Sequence, residues 1–380
     1  MMLSLLRSRL RSALFGLTLL PAVTIGAVPG SAQDANPLPP VVLTEEAISA
    51  VMTRAVDEVI RPGYRDMHAS ATRLADAVSA YCAAPSPDTK AAAHAAFDDT
   101  VAKWSFIEIV RDGPVLQENR FERILFYPDR KSTGLKQVQA LLVKKDEKDT
   151  EAAALPGKSV AVQGLGALEY VLYGTDAEAL DARKDSFRCR YGAAVAKNIA
   201  ATAASLSADW EKPDGVQRDW KHPGPDNPAF RDGKEAITAL LGILVHGAEA
   251  VRDQRIEAFY KGEDAPARPK SAIYWRSGNT WNAIKGNLDG LRTLFAKSGM
   301  EQLLDPAEAS IAGSVEFVIA SLTRVVAKID PDIEKAVSEP SERHKMDFLI
   351  VNARDLVLRF SDQYGGAIGL GAGFSFADGD

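Results

Sequence analysis

The sequence predicts an all-α fold built as two packed helical bundles, and three observations carry that expectation. Apolar residues recur at helical spacing through most of 44–363, and alternating strand patterns of useful length are missing. A Pro/Gly-rich break then separates the helical segments into two groups, with several helices on each side.

The chain opens with an address. Arg7, Arg9 and Arg11 precede the apolar run from Ala13 to Leu20, and the small residues Gly30, Ser31 and Ala32 follow. That order matches a secretory signal peptide over 1–32, cut after Ala32. A membrane anchor would need about 18 or more consecutive apolar residues. Gly16, Pro21, Thr24, Gly26 and Pro29 interrupt the run instead. No cysteine lies near the cut to accept a lipid, so the expected location is the periplasm, with no transmembrane segment in the mature chain. Loss of 1–32 removes three Arg and no acid, taking the net charge from −6 to −9.

After a Pro-rich leader, 44–60 reads as a helix that Thr44 caps and that Glu45 and Glu46 favour in its first turn. Ile48, Val51, Met52, Ala55, Val56 and Val59 supply its apolar stripe. Alanine-rich helices follow over 64–83 and 88–109, divided by Pro85-Ser-Pro. Further helical segments are 135–142, 160–173 and 191–210. Pro213, Gly215, Pro223, Gly224, Pro225, Pro228 and Gly233 then crowd one stretch, which reads as a loop or boundary. Helical spacing resumes over 234–260, 277–297, 306–330 and 343–363. The expected division is an N-terminal bundle over 33–215, a linker over 216–233 and a C-terminal bundle over 234–380.

Composition narrows the functional classes. With 45 Lys+Arg against 51 Asp+Glu, the chain lacks the basic excess expected of a nucleic-acid binder. Only two cysteines are present, which excludes a cysteine-rich zinc module and a disulfide-dense mini-fold. In an oxidising compartment Cys82 and Cys189 are expected to pair, closing a long loop. Two buried free thiols are the alternative.

Three constellations hold residues suited to chemistry. In Gln163-Gly-Leu-Gly-Ala-Leu-Glu-Tyr-Val-Leu-Tyr-Gly174, the residues Leu165, Leu168 and Leu172 share a helical face with Glu169 in its middle. A carboxylate there must be paired, hydrogen-bonded, protonated or metal-bound, because an isolated buried charge is very costly. Gly164 and Gly166 are poor helix formers whose use is the close approach of a backbone or a ligand. A structural Glu bonding an Arg or a helix end fits the same pattern. The second constellation, Glu118 to Asp129, sets Arg120 and Arg123 among aromatics, with Arg130 just beyond. These cations suit an anion or a buried acid such as Glu169, while Pro128-Asp129 reads as a turn into a new helix. An amphipathic segment with solvated charges is its simpler reading. The third is His246-Gly-Ala-Glu249, opposite the apolar face of 234–260. His and Glu three apart can reach one metal ion from one helix, although packing explains them equally. No H-E-x-x-H pattern is present, so a zincin protease is unsupported.

At these residues the sequence resembles the imelysin family (peptidase M75-like), in its periplasmic imelysin-like and lipoprotein-annotated branch. The resemblance rests on Arg-Ile-Leu-Phe-Tyr-Pro-Asp129, on the Gly164–Gly174 segment and on the closing Gly-Phe-Ser-Phe-Ala-Asp-Gly-Asp380, and it covers 41–380. It implies two four-helix bundles from an old duplication, with a site at their interface. The family signature G-x-H-x-x-E falls on Gly164, Gly166 and Glu169, so a glycine stands where the proposed metal-ligating histidine belongs. Glycine offers no side-chain donor, which weakens the metallopeptidase reading. Family members are linked to iron uptake and regulation. The resemblance carries over Glu169, and less directly Arg123 and Asp129. His246 and Glu249 come from spacing alone.

The resulting expectation is a non-catalytic binding protein with an iron-linked ligand, iron itself or another divalent metal, in a cleft between the bundles. Glu169 is its central acid and Arg123 its balancing cation. A metallopeptidase, with His246 replacing the missing histidine, and a scaffold for an envelope protein partner are the alternatives.

Overall fold

A computed structural model describes residues 43–262 and 264–370. The expected signal peptide over 1–32 and the closing residues 371–380 lie outside the described residues. Among those described, all regular structure is helical and no strand occurs.

The first helix, α1 (Glu45–Arg54), begins where its cap signal lies: the Thr44 side chain accepts from the Ala47 N–H. It runs on as a π-helix over Ala55–Ile60 and then into α2 (Arg61–Ala83). α3 (Pro87–Ile107) starts at a capping box in which Ser86 and Thr89 satisfy each other's backbone N–H. Short elements follow, α4 (Arg120–Ile124), α5 (Thr133–Lys144), α6 (Leu165–Tyr173) and α7 (Ala179–Ala182), before the long α8 (Phe187–Glu211). The second half comprises α9 (Val216–Lys221), α10 (Gly233–Glu249), α11 (Thr280–Ser298), α12 (Ser310–Val326), α13 (Ile333–Ser338), α14 (Pro340–Leu358) and α15 (Gly365–Ala367). π-helical segments extend α10 over Ala250–Ile256 and α14 over Arg359–Tyr364.

Packing is led by α2 against both α3 and α8, and by α3 against α11. Trp104, Trp210 and Trp220 are fully buried, and the Trp210 and Trp220 rings meet edge to face at 5.4 Å. The stretch 216–233 is itself packed, since Trp220 and Phe230 are buried and their rings meet at 5.5 Å. Order in space departs from order in sequence: α1 packs on α10 and α11, and Arg54 donates to the Ser298 carbonyl at 2.8 Å. Pro306–Val326 is long and apolar enough to cross a membrane by length and composition alone. In this fold α12, its larger part, packs against α11 and α14 through Val315, Val318, Ile319 and Leu322.

Cys82 and Cys189 form a disulfide between the last turn of α2 and the first turn of α8. The free-thiol alternative is thereby set aside. Crosslinking residues 107 apart stabilises the fold by roughly 4–5 kcal/mol through loop-closure entropy.

The expected helix over 160–173 is broken. A 3-10 turn covers Val160–Val162, and α6 starts only after Gly164, whose φ of +138° no other residue adopts readily. A Cβ there would lie 2.6 Å from the Ile124 carbonyl oxygen, so the glycine admits a neighbouring backbone. The expected helix over 306–330 is also shorter, because 3-10 turns occupy the residues before Ser310.

Candidate functional site

α6 is apolar on nearly every side, which buries Glu169 to 4% exposure. Its carboxylate meets a loop that lies 107 residues further along the chain. Glu169 Oε1 accepts from the Arg276 N–H, the Ser277 N–H and the Ser277 hydroxyl, each at 3.0 Å. The Arg276 guanidinium stands 3.8 Å from Oε2 and also lies over the rings of Trp275 and Tyr170. Burial pushes the Glu169 carboxyl above its ordinary range, opposed by the Ser277 backbone bond and the Arg276 charge.

The gripping loop is held in a strained form. Tyr274 has φ +51°, a left-handed conformation that costs a bulky residue about 1–3 kcal/mol. Its carbonyl accepts from the Asn279 N–H at 3.1 Å, and Asn279 in turn donates its side-chain amide to Asp98 at 2.6 Å. The loop is thus tied at both ends to the α3 and α6 side of the molecule.

Glu169 lines an open cleft of about 630 Å³. Tyr127, Tyr170, Tyr274 and Trp275 supply aromatic walls, Arg130, Lys261, Arg268, Lys270 and Arg276 supply cations, and Asp129, Asp253 and Glu257 add carboxylates to that of Glu169. Residues from both sides of the Pro/Gly-rich stretch contribute to it. Gly166 lies on the cleft, and a Cβ added there would touch nothing within 4 Å. The two motif glycines therefore serve different ends: Gly164 admits a backbone, whereas Gly166 leaves space beside Glu169.

Asp129 also lines the cleft, and its Oδ2 accepts from the Leu135 N–H at the start of α5, as a turn residue feeding a helix should. Arg123 does not accompany Glu169. It donates to Gln163 Oε1 at 3.3 Å, and the cation beside Glu169 is Arg276, which sequence reasoning missed. Nothing local in the sequence links 169 to 276. His246 and Glu249 meet each other, Nδ1 to Oε2 at 3.1 Å, but they face a second cavity rather than the Glu169 cleft. Among the described residues no three His, Cys, Asp or Glu side chains converge as a metal-ligand set.

Comparison with known proteins agrees with this architecture. The imelysin family model (peptidase M75) matches residues 60–357. The fold resembles an imelysin-like protein from Psychrobacter arcticum 273-4 with a TM-score of 0.71 at 18% identity, covering 89% of this chain and 100% of that one. It also resembles a candidate iron-regulated protein A precursor from Parabacteroides distasonis ATCC 8503 with a TM-score of 0.67 at 17% identity, covering 84% of this chain and 94% of that one. No curated protein matches the sequence. With a family model spanning most of its length and the same helical fold in both solved structures, this chain belongs to the imelysin family.

Proposed function

We propose that the protein is an exported, periplasmic binding protein whose cleft takes a small anionic ligand carrying chelated iron. The reading treats 33–215 and 234–380 as two bundles that share this cleft. The observation that carries it is the partnering of Glu169. One oxygen is already saturated by three donors and the other faces Arg276, so the carboxylate orders the wall of the cleft and has little left for a bare ion. What the cleft offers a ligand is aromatic surface and five cationic side chains, while its four carboxylates, Asp129, Glu169, Asp253 and Glu257, are each bonded within the protein, to the Leu135 N–H, the Arg276–Ser277 loop, Arg252 and Arg354. Those groups recognise planar, anionic molecules by charge-assisted hydrogen bonds and stacking. The iron-regulated relative supports iron as the element delivered.

The test is a titration of the mature chain with ferric citrate, and separately with ferrous, ferric, zinc, copper and calcium ions. Saturable binding of ferric citrate is expected, weakened about tenfold or more by Lys270→Ala combined with Arg268→Ala. Stoichiometric binding of a bare ion that Glu169→Gln abolishes would overturn this reading in favour of a metal centre, and peptidase assays would follow. No binding of either kind would direct the search to a protein partner.

A further inference from the structure

Behind the Glu169 cleft lies a second cavity of about 680 Å³, between α10 with its π-helical extension, the end of α3 and α11. Among the described residues, Asp253 and Gln254 alone line both. Its floor is a buried ion pair: Arg255 Nη2 donates to Glu108 Oε1 at 2.8 Å, with the side chains 5% and 3% exposed. Asn287 donates its amide to the same oxygen at 2.8 Å and to the Ser105 carbonyl at 2.7 Å.

This cluster is incompletely satisfied. Arg255 Nε and Nη1, Glu108 Oε2 and Asn287 Oδ1 are buried and have no hydrogen-bond partner among the described residues, the Arg255 guanidinium otherwise lying over the Tyr127 ring at 5.2 Å. Buried polar atoms are almost always bonded, and orphans of both signs side by side call for a partner that is donor and acceptor at once. Arg255 reaches this floor from the π-helical turn Ala250–Ile256, a distortion that recurs where a helix aims a side chain into a functional site.

We infer that the cavity floored by Glu108, Arg255 and Asn287 binds a free α-amino acid, its carboxylate on Arg255 and its ammonium on Glu108 and Asn287. The remaining walls suit the side chain: Ile109, Phe121, Ile243 and Ala239 are apolar, while Asp112, Glu235, Glu249 and Asp253 outnumber Arg111 and His246 and give the lining an acidic excess. That excess favours a basic side chain. A metal ion is the poorer fit, because no ligand set converges there among the described residues.

Isothermal titration of the wild-type chain with L-arginine tests the assignment, with agmatine (no carboxylate) and N-acetyl-arginine (no free amine) as controls. One-to-one binding is expected for L-arginine, weaker by about tenfold or more for each control. Ala239→Phe fills the cavity from a half-buried position and should abolish binding, while Glu169→Gln, in the other cleft, should leave it unchanged. Thr238→Phe, a second filling variant at a half-buried lining position, should abolish binding as well, and circular dichroism melts of both variants matching wild type guard against loss through misfolding. No saturable binding of L-arginine, controls that bind equally well, or binding that survives Ala239→Phe would each overturn the inference. Loss in Glu169→Gln alone would do so too, by placing the ligand in the first cleft.

Discussion

Two buried carboxylates line separate cavities in this molecule, and the chain treats them differently. Glu169 sits on an apolar helix and receives donors chiefly from backbone, in a loop bent to reach it. Glu108 is paired with a buried guanidinium, and atoms of both partners remain unbonded. Backbone donors saturate a carboxylate without bringing in a second buried side-chain charge, so Glu169 can serve as a fixed joint between distant segments. A buried ion pair carries two desolvation costs and tolerates the loss of either member poorly. The first arrangement holds shape, and the second stores unmet bonding capacity.

The largest expected effect tests that contrast directly. Arg255→Ala strands the buried Glu108 charge and should cost about 3–5 kcal/mol in urea unfolding. Glu169→Ala, which leaves the loop donors unpaired, should cost about 2–3 kcal/mol. A Glu169 variant more damaging than the Arg255 variant would break the comparison. Glu169→Gln, whose amide oxygen still accepts, should cost under about 1 kcal/mol by the same measurement.

Titration sharpens the same point. Because burial raises the Glu169 carboxyl, its contribution to stability is fully present below the unfolded value, and it is lost as pH rises through the folded one. Wild type should therefore lose stability relative to Glu169→Gln as pH rises above the ordinary Glu range. Asp57, Asp99 and Asp209 have lowered values, each beside cationic partners that outweigh burial. Their contributions run the opposite way, present at neutral pH and lost as acid is added below the ordinary Asp range. Thermal melts of both chains across this range read the two slopes separately.

The smallest effect comes from the motif glycines. Gly166→Ala meets open space within a helix and should stabilise by about 0.5–1 kcal/mol. Gly164→Ala should destabilise instead, since its Cβ would strike the backbone at Arg123 and Ile124. Melting temperatures of the two variants check the opposite signs.

How much of this was legible in the sequence follows range. The long helices α2, α3 and α8 carry their period locally, α3 and α8 with a serine cap as well, and the structure places them within a few residues of expectation. The burial of Glu169 was legible too, because the stripe around it is continuous. Its partners were not: Arg276 and Ser277 sit in a polar-looking loop far along the chain, and Arg255 lies in a run, Arg252-Asp-Gln-Arg255, that reads as solvated. The π-helical turns have no period of their own to betray them. Side chains opposed across a fold are set by packing, which no local pattern encodes.

The grip on Glu169 also bears on the order in which the chain is made. A ribosome finishes the segment bearing Glu108 and Glu169 long before it reaches Arg255, Arg276 and Ser277. Until then two carboxylates destined for the interior have no partners, and α1 lacks the helices it packs on. Such long-range contacts form slowly and late. The nascent chain thus has reason to remain unfolded until its second half emerges.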